Sequence, residues 1–434
     1  MVLIRGPRWP GVLAALMLGG CSQSLFDAQS GGGGGDDDGM TPVPTSCQRP
    51  CLADAASDFD GTAGGTGGHW RYLDDHRDRT WTAMTPSGGT MLGADPSNRI
   101  SSCAASPESA ACKALPGALL VSTSGATSAA DPALEVTSPT QQVLQLAVRA
   151  FVPAGDDQAI RVYRNSREDV LFTGKATAGK IFEQAITLDA LAGDRFLVAV
   201  APSARGTGDV GLQVFASPTG ARFPARCQVA ISFPSATSST VENQCGAAFT
   251  HLLYDPDMPS AGVVGPGPFP ELGSAADFAF NNYLRGPATL DRTHDTTTQL
   301  WVKLRKFDDL LDNAWPFSDL DLNNTGGLGV ALLNMDPPQI DVVTCTSPAP
   351  EFTEMVTSYP GDGGWHFVRV VQAGDTVKLC VDGKFLTSIP VAAGKLASTF
   401  RPHIGANAVW SPQGAFFDGQ IDDVRVLTDA LPCE

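Results

Sequence analysis

Three signatures of large enzyme classes are missing from this 434-residue chain. There is no G-x-S-x-G nucleophile elbow, no H-E-x-x-H pair and no P-loop, because the Gly-Lys pairs at 174, 179, 383 and 394 are never followed by Ser or Thr. Zinc is excluded in turn, since neither CxxC pairs nor His at ligand spacing occur. Outside residues 11–18 no stretch approaches the eighteen or more apolar residues of a membrane helix. A basic stripe is also lacking, and the formal charge of −17 argues against nucleic acid as a partner. Glutamate is scarce, with 9 Glu against 37 Asp. Helix surfaces favour Glu, whereas turns and oxygen-rich metal loops favour the shorter carboxylate. With 46 Gly and 32 Pro as punctuation, the composition predicts many strands joined by turns.

What the chain does have begins at residue 5. Arg5 and Arg8 precede an apolar run, Gly11 to Leu18, that closes on Leu18-Gly19-Gly20-Cys21. A charged region, a short apolar run and small residues before a cut are what a secretory signal needs. With a cysteine after the cut, the segment resembles the lipobox of bacterial lipoproteins. The resemblance implies a signal peptide over residues 1–20, lipid on Cys21, and an extracytoplasmic protein anchored by lipid to the outer membrane, on its periplasmic or surface face. Several acyl chains on one cysteine anchor lastingly where one holds only marginally. Residues 21–56, with Gly31 to Gly35, Asp36 to Asp38 and Thr41-Pro42-Val43-Pro44, hold almost nothing apolar and read as a flexible linker.

Removing residues 1–20 from 434 leaves 414, more than one core usually holds, so two domains are expected. With Cys21 set aside, nine cysteines remain, an odd number that leaves at least one thiol free or paired elsewhere. In an exported protein they read as disulfides. The pairings expected are Cys103 with Cys112, closing a loop, and Cys345 with Cys380, on strands of one domain.

Both domains read as all-β sandwiches. From 57 to 235 the segments 118–122, 143–152, 159–163, 181–188, 195–201 and 210–215 have strand character, and Leu144, Leu146 and Val148 alternate with other residues as in a half-buried strand. Ala192-Gly193-Asp194 supplies a turn before Arg195-Phe196-Leu197-Val198-Ala199-Val200. Over roughly 110–217 this resembles the galactose-binding-like jelly rolls, in which such a turn leads into a strand ending near Pro202. The region 236–434 is marked by Thr298 to Leu304, Trp365-His366-Phe367-Val368, the Asp382-Gly383 type I′ hairpin turn and Asp418-Gly419-Gln420-Ile421-Asp422-Asp423-Val424-Arg425. Four motifs in this order resemble the laminin-G-like, concanavalin-A-type sandwich.

Carbohydrate sites combine aromatic faces, which stack on sugar rings, with Asp, Asn and Arg groups for the hydroxyls. Trp70, Tyr72, Asp74, Asp75, His76 and Trp81 offer that mixture, as do Trp315, Asp319, Asp321 and Asn323. Core roles for Trp70 and Trp81 stand beside this reading, and Trp301 and Trp365 are expected in the core. Asp319, Asp321 and Asn323 also carry the first three positions of a D-x-D-x-N calcium loop, but Val330 stands where the bidentate Glu belongs, and a polar turn is the favoured reading of the segment. The laminin-G resemblance implies a structural Ca²⁺ held by Asp422; its N-terminal partner is unassigned, with Asp255 and Asp257 as candidates. Strict alternation places Ile421, Asp423 and Arg425 on one face and Asp422, Val424 and Val426 on the other. The expected function is non-catalytic binding at the cell envelope, of carbohydrate or cell-surface ligands. The alternatives are a structural or adhesion component that binds another protein, and a glycoside hydrolase. For hydrolysis the nearest carboxylate pair, Glu351 and Glu354, falls three apart and on opposite faces of a strand.

Overall fold

Alternation becomes strand wherever the sequence carries it. In the computed structural model Gln142–Phe151 is one strand, and Leu144, Leu146, Val148 and Ala150 enter a hydrophobic core. The structure describes residues 43–47, 50–65, 68–76, 80–123, 130–202, 208–233, 240–253, 263–269, 272–278, 282–305, 313–320, 326–346, 352–391, 396–407 and 416–433. Cys21, Asp255, Asp257, Asp321, Asn323 and Glu351 lie outside them. The described chain is nearly all β, its helical parts being Cys103–Ala105 and Ala110–Ala114. None of its helices is long and apolar enough to cross a membrane.

Two antiparallel sandwiches result. In the first, a sheet that includes Gln142–Phe151 and Gly208–Pro218 faces one that includes Trp70–His76, Ala130–Thr137 and Arg195–Pro202. In the second, a sheet built around Thr296–Leu304, His366–Ala373 and Gly419–Leu427 faces one that includes Asn313–Ser318, Leu328–Leu333, Gln339–Cys345 and Phe352–Ser358. Leu300, Val302, Val368 and Val370 meet Leu328, Val330, Ile340 and Val342 between those sheets. Each such side chain, fully buried, contributes about 1.5–3 kcal/mol.

The borders differ from those expected. Ala53–Asp54, inside the expected linker, pairs with Phe215 and Ala216, and Ala53 and Ala55 are buried. Cys47 and Cys51 form a disulfide just before that strand. Cys227–Ile231 precedes the expected border at 235, yet it pairs with Gly419–Leu427 of the second sandwich. The Cys227–Cys245 disulfide then spans the expected border. Composition cannot mark this point, because the strand that changes sandwich carries the same apolar alternation as its neighbours.

Cys103 and Cys112 are bonded. Cys345 and Cys380 are not, and Cys380 is joined to Cys433 while Cys345 is a buried free thiol. The reason is facial. Val377, Leu379 and Val381 fill the second core, so Cys380 points outward from its sheet, and Val342 and Ile340 send Cys345 outward from the facing sheet. The core lies between the two sulfurs.

The sandwiches join through buried charge. Arg425 of the second donates to both oxygens of Asp194 of the first, at 3.1 and 2.9 Å, and to Asp423 at 2.7 Å. Arg369 donates to Asp169, to the Val170 carbonyl at 2.7 Å and to Gln299 at 3.0 Å. Arg164 donates to the second oxygen of Asp169 at 2.7 Å, and Gln299 does so at 3.1 Å. All six charged side chains are almost wholly buried.

The Asp382-Gly383 turn has φ of 53° and 73°, the left-handed pair that a type I′ hairpin requires. Asp382 also accepts the Phe367 N–H at 3.0 Å and pairs with His366 Nδ1 at 2.9 Å, while Asp362 meets Nε2 at 2.9 Å. Burial alone would lower the His366 pKa, but the hydrogen bonds to Asp382 and Asp362 outweigh it and raise the value. A raised folded pKa stabilises fully below the unfolded value of about 6.5, and the gain is lost as pH rises through the folded value. Urea denaturation of the wild type and of His366→Gln is expected to show a larger difference at pH 5.5 than at pH 8.5. A difference independent of pH would show that the imidazolium is not formed.

Candidate functional site

Period two decides which residues of four adjacent strands face outward. Ala314, Leu328, Val330, Leu332, Ile340, Val342 and Met355 enter the core. Their alternates Asn313, Trp315, Ala331, Leu333, Asp341, Val343, Phe352 and Glu354 line, with Leu320, a groove of about 470 Å³ on the outer face. Register sets the rim, since Val343 lies opposite Glu354, Cys345 opposite Phe352 and Asp341 opposite Val356. A bulge between Ala314 and Phe317 adjusts the strand beside Trp315.

Trp315 is 6% exposed and packs with Leu320, Ala331 and Val343 as the groove floor. Gly329 permits this. A Cβ there would lie 2.5 Å from the indole Cζ3 and 2.6 Å from Leu320 Cδ1, so a larger residue would lift the ring off the sheet. At the rim Phe352 is 46% exposed, leaving an aromatic face open.

The polar groups of the groove are unsatisfied from within. Trp315 Nε1, Asn313 Oδ1 and Asp341 Oδ1 are buried and have no hydrogen-bond partner. Each such group costs about 1–3 kcal/mol, which a solute supplying the partner recovers. Burial, reinforced by the like charge of Glu354, pushes the Asp341 carboxyl up to about 6, with only a backbone hydrogen bond from Met355 opposing. No Lys, Arg or His is among the described residues that line the groove. The surface thus combines one open aromatic face, an indole donor and several oxygen acceptors.

Of the site residues read from sequence, the structure brings Trp315 to this groove. Asp319 is turned inward, where Arg292 Nε donates to it at 2.7 Å and the Leu328 N–H at 2.9 Å. It is thus an ion-pair anchor, and its carboxylate oxygens are already engaged. The aromatic cluster of the first sandwich is divided. Trp70 and Tyr72 fill the core, with Trp70 Nε1 donating to Asp58 at 3.2 Å. Asp74 is buried and accepts the Ala94 N–H at 2.6 Å. Asp75 lies on the other face of the strand, accepts from Trp81 Nε1 at 3.0 Å and pairs with Arg167 at 3.3 Å. Burial, only partly offset by Arg167, pushes Asp75 up to about 7. Trp81 itself lies beneath the Arg195 guanidinium, 4.9 Å from the ring centroid. With Trp70, Tyr72, Asp74 and Asp75 at 1% exposure or less, these residues build the sandwich and offer no face to a sugar.

Asp422 departs from strict alternation. Ile421, Val424 and Val426 all enter the core, because Asp423 adopts φ 43° and the register shifts between Gln299 and Trp301. This bulge sends Asp422 outward beside Trp301, while Asp423 pairs with Arg425. Trp301 is likewise buried outside the core, against Phe269 and Phe367. Asp422 Oδ1 accepts the Asp423 N–H at 2.8 Å and Oδ2 has no partner. Burial, with the neighbouring Asp423 charge, pushes this carboxyl up to about 8. Calcium takes six to eight oxygens. Among the described residues no group of three or more acidic, His or Cys side chains is placed to hold a metal, and the candidate partners Asp255 and Asp257 lie outside those residues.

A family match falls within the second sandwich. The family described as the concanavalin A-like lectin/glucanases superfamily matches residues 278–434, which include all four strands of the groove. No curated protein sequence matches the chain. Among solved structures, the botulinum neurotoxin serotype D binding domain is 11% identical, with a TM-score of 0.34 over 48% of this chain and 49% of that one. The binding domain of botulinum neurotoxin DC in complex with SialylT is 10% identical, with a TM-score of 0.34 over 48% and 49%. Domain 4 of AbnA, a GH43 extracellular arabinanase from Geobacillus stearothermophilus, in complex with arabinotriose, is 17% identical, with a TM-score of 0.36 over 48% and 95%. The chain spans about half the length of the toxin domains it matches.

Proposed function

We propose that this chain is a non-catalytic carbohydrate-binding protein of the cell envelope, held at the membrane by lipid on Cys21, with its ligand site in the Trp315 groove. The observation that carries the reading is the set of unpartnered polar atoms, Trp315 Nε1, Asn313 Oδ1 and Asp341 Oδ1, in a groove that the exposed Phe352 also lines. Sugars present an apolar ring face and many hydroxyls, each both donor and acceptor, which is the complement of such a surface. The family match over 278–434 supports a lectin-like role for this sandwich. The anchor rests on the sequence of residues 5–21.

A glycan array probed with residues 43–434, which form one compact unit, tests the reading. Saturable binding is expected, weakened about tenfold or more by Phe352→Ala, whose rim position spares the fold, and abolished by Trp315→Ala. Binding that survives both substitutions would place the site elsewhere. Asp341 and Glu354 on one groove also give a hydrolase a specific footing. Product analysis after incubation with the bound glycans separates the two, and the binding reading expects them intact.

A further inference from the structure

We propose that the groove prefers glycans carrying free primary amines, that is, hexosamine units without their acetyl groups. The inference rests on the carbohydrate-binding reading and specifies its ligand class.

The charged groups of the described lining are both carboxylates, Asp341 and Glu354, on neighbouring strands. Asn313, Trp315, Ala331, Leu333 and Val343, which face Asp341 from the strands around it, carry no charge. A primary ammonium has three N–H donors, and the unpartnered Asp341 Oδ1 and the Glu354 carboxylate, on adjacent strands two residues apart in register, offer acceptors for them. Asp341 is 7% exposed, so an unpaired charge there is costly, and a cation beside it removes that cost. The open Phe352 ring adds an aromatic face, which attracts cations through the ring quadrupole. Acetylation turns the ammonium into a neutral amide with one donor, and a uronic acid brings a like charge against two carboxylates. The overall charge of −17 adds long-range repulsion of acidic glycans.

The test is calorimetry of residues 43–434 with three probes of equal length: tetramers of glucosamine, of N-acetylglucosamine and of glucose. The glucosamine tetramer is expected to bind about tenfold or more tightly than the other two, with one site per chain. That preference should collapse in Glu354→Gln and persist in Glu108→Gln, which removes an exposed carboxylate of the first sandwich. Equal affinity for all three tetramers would overturn the amine preference and leave carbohydrate binding standing. Tighter binding of the N-acetyl tetramer would overturn it too. Equal loss in both variants would reduce the effect to general attraction of a polycation, and no binding of any tetramer would overturn the amine preference, with the glycan array deciding carbohydrate binding separately.

Discussion

Asp194→Ala is expected to lower the stability of the described unit by about 3–5 kcal/mol, the cost of leaving a buried ion without its partner. Asp194 is 4% exposed and accepts from Arg425 through both oxygens, from Asn165 at 2.8 Å and from the Leu191 N–H at 2.9 Å. Its removal leaves Arg425 with Asp423, whose single bond at 2.7 Å is the weaker half of the arrangement. Arginine cannot shed its proton to escape, so the deficit stays. The Arg425 charge outweighs burial and holds the Asp194 pKa down at about 2. A depressed folded pKa stabilises above the unfolded value of about 3.9, and the gain is lost as pH falls toward 2. Thermal unfolding at pH 7 is expected to drop by roughly 5–10 °C in the variant. The gap should narrow at pH 3, and a gap unchanged between the two pH values would contradict the ion pair. Because the pair links the sandwiches, the wild type should also lose both together, in one transition.

Asp319→Ala should cost a similar ~3–5 kcal/mol, for a related reason. Arg292 is fully buried, and beyond Asp319 it reaches Thr296 at 3.2 Å and Thr298 at 3.1 Å. Neither hydroxyl carries charge, so the guanidinium would be left uncompensated. Asp319 further fixes the chain around the groove, since its carbonyl accepts from Ser398 at 2.6 Å and its N–H donates to the Leu328 carbonyl at 2.9 Å. Leu320, the next residue, packs with Trp315. Urea denaturation of Asp319→Ala, Arg292→Met and the double variant checks this. The double variant is expected to be more stable than the sum of the single losses, because it removes the uncompensated charge. Strict additivity would show that the two groups do not interact.

The strands that carry period-two alternation were legible in the sequence, and so were the Asp382-Gly383 turn and the disulfide loop from Cys103 to Cys112. What alternation cannot show is a departure from itself. The bulge at Asp423 sends Asp422 outward, and nothing in Ile421-Asp422-Asp423-Val424 announces it. Long-range partners are equally silent. Asp319 reads as a metal loop until Arg292, 27 residues away, is brought beside it. The groove was half legible. Trp315 stands out as an aromatic among polar residues, whereas Phe352 and Glu354 become its neighbours only through strand pairing. One signal was available at Asp341, a lone carboxylate in the apolar run Ile340-Asp341-Val342-Val343. A charge there must face a partner, a ligand or water.

A crystal structure of residues 43–434 grown with an oligosaccharide that binds in solution would show whether the Trp315 groove is the ligand site. A sugar ring is expected against Phe352, with its hydroxyl or amine groups within hydrogen-bond distance of Trp315 Nε1 and Asp341. A sugar seated on the first sandwich, with the groove free of it, would place the ligand site elsewhere.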